Sequence, residues 1–360
     1  MRVAGIMSGT SLDGIDVAVV EMPALRTLNF LSVPYPPKIR ARLLAVSNAV
    51  THTAEISRLH FEIAELYARA VERAGKVDLI GCHGQTIFHE GRSNTLQIGE
   101  PAVLAERCGV PVVSNFRARD IAAGGEGAPL VPFLDYRLFR HPKRARIALN
   151  IGGIANVTVI PAGARLNDVV AFDTGPGNMV IDALAREFSK GKQNFDRGGK
   201  IAASGKLDRA LLDELLHDRY YRKRPPKSAG REQYGSEFVS RMKKSRLPLR
   251  DLIATATVLT AATIAMGVTL GGVTAADVIV SGGGAHNPEI LGHLAGFLPD
   301  ARIAVSSDFG IDVDAKEAIA FALLAYETWR GRPSNVPSAT GARGLVLLGS
   351  VTPTRISSQL

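Results

Sequence analysis

The chain has 360 residues, 46% of them hydrophobic, which is enough for two domains with cores of their own and excludes a disordered or fibrous protein. Its 43 Lys and Arg against 34 Asp and Glu give a formal net charge of +9, which on its face points to nucleic acid or an anionic membrane. The distribution argues against both: residues 219–250 hold eleven Lys/Arg and two Glu, the whole +9, and the other 328 residues are neutral.

In chain order, residues 3–7 and 15–21 read as a hairpin joined by a polar, glycine-bearing turn at 8–14. The first run is too short for the apolar region of a signal peptide. Two cysteines, Cys82 and Cys108, without metal-type spacing fit a reducing compartment, so the cytoplasm is the expected location. Ile56, Leu59, Ile63, Leu66, Ala70 and Val71 recur at helical spacing and predict a helix over 56–75. Short apolar runs at 77–80, 95–98 and 110–113 then alternate with a helical stretch at 101–108, an α/β pattern. A second block opens near Arg146, where 147–151, Gly152-Gly153 and 155–160 repeat the order strand, glycine turn, strand. The echo predicts two domains whose opening hairpins turn their glycines to a common cleft. The boundary belongs in the Gly- and Pro-punctuated stretch 124–142, giving domains at 1–135 and 136–342, with a tail at 343–360 that can return to the first.

Beyond that lie a strand at 169–172, a turn at 173–178, a helix from Met179, the basic stretch, a strand at 278–280 and a helix at 315–329. The 25 uncharged residues between Asp251 and Asp277 are long enough to cross a bilayer. Six threonines and three glycines, with few large aliphatics, predict instead a buried helix and no membrane partner.

Three glycine turns, at 9–14, 152–153 and 282–284, each follow a strand, where backbone amides can approach a phosphate. None fits the dinucleotide fingerprint or the Walker loop. The first turn adds Thr10, Ser11, Asp13 and, after Gly14, Asp16: hydroxyls for phosphate oxygens and a carboxylate for hydrated magnesium, although Ser and Asp also favour turns through local bonds. Asp173, closing an apolar strand, is placed either as a general base or as an Asx turn capping the next helix. Cys82-His83-Gly84-Gln85-Thr86 and Arg117-Ala118-Arg119-Asp120 follow apolar strands and suit hydroxyl and carboxylate recognition; a satisfied structural histidine is the alternative for His83. Glu317 opens an apolar helix, where an acid also favours the helix dipole.

Six strings taken together resemble the anhydro-N-acetylmuramic acid kinase family: Met7-Ser8-Gly9-Thr10-Ser11-Leu12-Asp13-Gly14-Ile15-Asp16, His83-Gly84-Gln85-Thr86, the run from Ala122 to Pro132, Asn150-Ile151-Gly152-Gly153, Phe172-Asp173-Thr174-Gly175-Pro176-Gly177-Asn178 and Gly282-Gly283-Gly284-Ala285. The resemblance implies the actin-like ATPase and sugar-kinase fold, two ribonuclease-H-like domains flanking an ATP and substrate cleft. It implies ATP and Mg²⁺, held by Gly9, Thr10, Ser11, Leu12, Asp13, Gly14, Ile15, Asp16, Gly152, Gly153, Gly282, Gly283 and Gly284, with Asp13 facing the metal. It makes Asp173 the base that delivers water to the anomeric carbon of the anhydro-sugar while the freed O6 takes the γ-phosphate, and places Glu317 as a second carboxylate near the sugar. His83, Gln85, Arg119 and Asp120 become sugar contacts, Arg119 as the partner of the lactyl carboxylate. Pro226-Lys227-Ser228-Ala229-Gly230-Arg231-Glu232, inside the basic stretch, also resembles the family and brings some of those cations near anionic substrates. The expected partner is the small sugar, with no nucleic acid; a homodimer is compatible with the sequence. Two other readings stay open: a sugar kinase acting on a free hydroxyl, and an actin-like structural or chaperone ATPase.

Overall fold

The computed structural model describes residues 1–9, 12, 14–273 and 275–354. The chain forms two compact units, one of Met1–Leu134 with Ala315–Leu360, the other of Asp135–Asp314.

The first unit opens with an antiparallel meander, β1 (Arg2–Ser8), β2 (Gly14–Glu21) and β3 (Arg26–Pro34), in which Met7 lies opposite Asp16. On the other side of β1, β4 (Leu79–Glu90) pairs parallel, β5 (Asn94–Ile98) folds back on β4, and β6 (Val112–Ser114) runs parallel to β4. Val3, Ala4 and Ile6 of β1 and Val17 and Ala18 of β2 are fully buried on both faces, the near-continuous apolar run of a strand covered by helices above and below. One cover is the amphipathic helix Thr53–Ala74, which lays Leu59, Ile63, Tyr67 and Val71 on the sheet.

The second unit repeats this order. An antiparallel meander of β7 (Arg146–Ile151), β8 (Ile154–Ile160) and β9 (Val170–Pro176) is followed by β10 (Asp277–Ser281), parallel to β7, and β11 (Arg302–Val305), parallel to β10. Both sheets therefore run meander first and two parallel strands after, the strand order of a ribonuclease-H-like unit, and the echo between residues 3–21 and 147–160 is the first hairpin of each.

The uncharged stretch is the core helix Leu249–Leu270, whose most apolar window is 89% buried. Its threonines are accommodated because their hydroxyls find carbonyls, some in the preceding turn, Thr257 Oγ1 to Ile253 at 2.8 Å and Thr269 Oγ1 to Ala265 at 3.0 Å, and Thr260 Oγ1 across to Gly177 at 3.0 Å.

Three boundaries differ from expectation. The strand foreseen at 77–80 continues through Glu90, because pairing with β1 and β5 carries Cys82 to Thr86 inside β4 rather than into a loop. Asp173 stands within β9, not at its end, since Gly175 and Pro176 still pair with Ala155 and Ile154 of β8. The second domain ends at Asp314, not at residue 342, because helix Lys316–Trp329 packs on β1 and β4 of the first unit. That approach requires glycine at two positions: a Cβ on Gly5 would collide with the Ala318 carbonyl, and one on Gly81 with the Phe321 carbonyl and, at 2.7 Å, the Ala325 methyl. The chain then adds β12 (Ser350–Thr352) antiparallel to β6.

Gly81→Ala forces helix and sheet apart and is expected to cost about 1–3 kcal/mol or more in unfolding free energy. A urea titration measures it; an unchanged midpoint would mean that the helix does not sit on the sheet at this glycine.

Candidate active site

In the second unit the glycine turns converge at the carboxyl ends of parallel strands, the edge where α/β sheets bind ligands. Ser281 at the end of β10 lies beside Asn150 near the end of β7, so Gly152-Gly153 and Gly282-Gly283-Gly284 leave the sheet together. The start of helix Asn178–Phe188 joins them: the Gly177 and Met179 amides donate to the Gly153 carbonyl at 2.9 and 3.2 Å, and the Asn178 amide to Gly152 at 2.8 Å. A Cβ on Gly177 would strike the Gly152 carbonyl, and one on Gly284 the Ile151 side chain. Gly282, at φ +80°, has a conformation that side chains rarely adopt. The result is an edge made largely of backbone, suited to close approach by a nucleotide.

Asp173 lies on β9, across from Asn156 of β8, and is half-buried. Its Oδ2 accepts the Ala229 amide at 2.8 Å, its backbone amide donates to the Lys227 carbonyl at 3.3 Å, and its carbonyl accepts the Tyr220 hydroxyl at 2.9 Å. Among the described residues Oδ1 accepts no hydrogen bond, which leaves it to take a proton. Burial pushes the carboxyl up to about 6, opposed by the Ala229 amide and the Lys227 charge. A carboxylate of that basicity, held by its neighbours on both main chain and side chain, is equipped for general-base work near neutral pH.

In the first unit Thr10, Ser11 and Asp13 lie outside the described residues. The rest of the turn is anchored: the Leu12 amide donates to the Gly9 carbonyl at 3.1 Å, Leu12 is buried at φ +59°, and Arg40 Nε donates to its carbonyl at 3.0 Å. Gly14 abuts the Val33 carbonyl, where a Cβ would not fit, Ile15 is buried, and Asp16 is half-buried at the start of β2. Gln85, wholly buried, donates from Nε2 to the Gly9 carbonyl at 3.2 Å and accepts from Tyr35 at 3.4 Å, so it supports the turn from behind. Ser8 Oγ and the Tyr67 hydroxyl, 2.6 Å apart, continue the same buried network.

The residues expected to contact sugar separate into different roles. His83 is buried and satisfied: Arg117 Nε donates to its Nε2 at 3.0 Å, so Nδ1 carries the proton and donates to the Gly84 carbonyl at 2.8 Å. Burial and the adjacent Arg117 charge hold it neutral, its pKa well below the ordinary value. Asp120 is fully buried, and its carboxylate accepts from the Gly127 amide at 2.9 Å, Asn335 Nδ2 at 3.0 Å and Thr340 Oγ1 at 2.8 Å. It ties the loop after helix Phe116–Ala122 to the returning C-terminal segment and has no exposed face for a sugar. Arg119, on that helix, is exposed. Arg117, two residues earlier in the same run, is turned inward instead: it joins His83 to the Gly127 carbonyl, to which it donates at 2.8 Å. Burial draws Arg117 down to about 10, against the pull of Glu317 and Asp120. Glu317 sits half-buried in the first turn of helix Lys316–Trp329, close enough to Arg117 to act on its charge. Lys227, expected near the anionic substrates as part of the string at 226–232, instead accepts the Asp173 amide through its carbonyl, and Tyr220, which the sequence did not single out, donates to the Asp173 carbonyl.

Among the described residues no group of three His, Cys, Asp or Glu side chains is placed to hold a metal ion. Magnesium that arrives with ATP needs no such cage, since phosphates and water supply most of its ligands.

Two units that share the ribonuclease-H-like strand order, the second with glycine turns at its strand ends, have the architecture of the actin-like ATPase and sugar-kinase class. A family model for anhydro-N-acetylmuramic acid kinase matches residues 1–354. A relative of that name from Caldanaerobacter subterraneus subsp. tengcongensis is 42% identical, over 97% of this chain and 96% of its own. Relatives of the same name from Salinibacter ruber and Gloeobacter violaceus are each 45% identical over 97% of this chain, covering 96% and 98% of theirs. The chain belongs to the anhydro-N-acetylmuramic acid kinase family.

Asp120→Ala leaves three buried donors unpaired and is expected to lower stability by roughly 3 kcal/mol or more. Arg119→Ala should stay within about 0.5 kcal/mol of wild type. Denaturant unfolding compares the two; equal midpoints would contradict the structural role of Asp120.

Proposed function

We propose that this enzyme uses ATP and water to convert 1,6-anhydro-N-acetylmuramic acid into N-acetylmuramic acid 6-phosphate and ADP, a step of cell-wall recycling. The anhydro bridge leaves no free 6-hydroxyl, so the phosphoryl acceptor exists only once the bridge opens. Water loses a proton to Asp173 and its oxygen bonds to the anomeric carbon. The C1–O6 bond breaks, O6 bonds to the γ-phosphorus, and the bond from that phosphorus to the β-phosphate oxygen breaks to release ADP. The observation that carries this reading is the Asp173 carboxylate, anchored through Oδ2 with Oδ1 open and burial raising its basicity.

Phosphoryl transfer depends chiefly on position and charge. The turn at 9–16 and the glycines at 152–153 and 282–284 are assigned to the nucleotide, with Asp13 and Asp16 as the carboxylates for Mg²⁺. Magnesium, when bound with ATP, neutralises charge on the transferring phosphoryl group. Glu317 is assigned to the sugar and Arg119, an exposed guanidinium, to its lactyl carboxylate. His83, Gln85 and Asp120 act from behind as supports. The free cysteines, Cys82 buried and Cys108 half-buried, fit work in the reducing cytoplasm.

Asp173→Asn should lose sugar-dependent ADP release by about 10²–10⁴-fold while retaining ATP binding. The base must be ionised to accept a proton, so wild-type kcat is expected to be level well above the Asp173 value of about 6 and to fall to half as pH drops through it. A coupled assay across pH, with nucleotide titration calorimetry on the variant, checks both; near-normal turnover in Asp173→Asn would remove Asp173 as the base.

A further inference from the structure

The hydrogen-bond partners of Asp173 outside its own sheet come from one short segment, and one buried cation holds that segment together. Lys227 is only 6% exposed. Its Nζ donates to the Tyr220 carbonyl at 3.2 Å and the Tyr221 carbonyl at 3.3 Å, and lies 4.7 Å from the centre of the Tyr220 ring and 5.6 Å from that of Phe172, the residue before Asp173. It thus closes residues 220–227 into a loop against β9. The loop makes three bonds to one residue: Ala229 amide to Asp173 Oδ2, Tyr220 hydroxyl to the Asp173 carbonyl, and Asp173 amide to the Lys227 carbonyl. A solvated surface lysine would do none of this, and burying an ammonium is costly unless it is paired.

We propose that Lys227 is a positioning residue for the reaction: its ammonium cross-links residues 220–229 into a strap that fixes the Asp173 carboxylate and keeps it ionised. This rests on the assignment of Asp173 as the base. Among the described residues, the charged and titratable groups acting with Asp173 are Lys227 and Tyr220 from the strap. Asn156, opposite on β8, is uncharged, and from the core helix Thr263 packs beside Gly175 of the same strand. Lys223 faces Lys227 from within the strap and works against its charge. Burial lowers Lys227 to about 8, so it remains protonated throughout the pH range in which Asp173 titrates. Its charge is therefore present when the base needs it.

The test is the acid limb of kcat in Lys227→Gln, which keeps an N–H donor for the two carbonyls and removes the charge, beside Lys227→Arg, which keeps the charge. Lys227→Gln should move the limb upward by about one pH unit, and Lys227→Arg should leave it at the wild-type position. A purely structural lysine would lower kcat in both with the limb unmoved, and that result overturns the proposal. Tyr220→Phe, which keeps the ring under the ammonium and removes one bond of the strap, should lower kcat about tenfold with KM for ATP unchanged; unaltered kcat there also overturns it. Should Lys227→Gln fail to fold, Tyr220→Phe decides alone. Asp173→Asn separates the two levels: if it is inactive and the Lys227→Gln limb is unmoved, only the strap falls, whereas an active Asp173→Asn removes the base assignment itself.

Discussion

As the proposed base, Asp173 has to carry a negative charge where burial disfavours one. Left alone in an apolar wall, a carboxylate takes up a proton and ceases to be a base; left in water, it is too weak to strip a proton from water near neutral pH. The structure meets this with two opposing influences, burial against the Ala229 amide and the Lys227 ammonium, and the carboxyl comes to rest near about 6. The remaining local features serve that compromise. β9 runs past Asp173 to Pro176, so a sheet strand rather than a mobile turn fixes the backbone. Gly175 leaves room for Tyr221 and Thr263, since a Cβ there would lie 2.9 Å from the tyrosine ring.

The formal +9 that first pointed to nucleic acid has a partly different meaning in the folded chain. Lys227 belongs to that stretch and is among the few buried cations of the protein, whereas Arg222, Lys223 and Arg224 are exposed. Segment charge says nothing about which member is desolvated; the neighbouring aromatic and proline residues carried that information, Tyr220 and Tyr221 before it and Pro225-Pro226 immediately adjoining.

Much of the fold was legible because strand periodicity and glycine turns are local signals. The hairpin at residues 3–21, its echo at 147–160 and the buried uncharged helix all follow from pattern alone. The return of the chain at Ala315 was not legible, because helix 316–329 is apolar on nearly every side and its sequence does not state which sheet it covers. The signal sat about 240 to 310 residues earlier, in Gly5 and Gly81, which read only as weak strand residues until a helix backbone lies on them. Site residues showed the same asymmetry. A polar residue near a strand end looks alike whether it faces a ligand or supports one that does, and pairing partners 200 residues distant, such as Asn335 and Thr340 for Asp120, decide between them.

The central claim is that hydrolysis of the bridge and phosphorylation of O6 are one reaction driven by a water that Asp173 activates. Single-turnover reaction in ¹⁸O-water, quenched before the anomeric hydroxyl exchanges, tests this most directly. The account predicts one ¹⁸O at the anomeric position of N-acetylmuramic acid 6-phosphate and none in its phosphate; unlabelled sugar, or label in the phosphate, would contradict it.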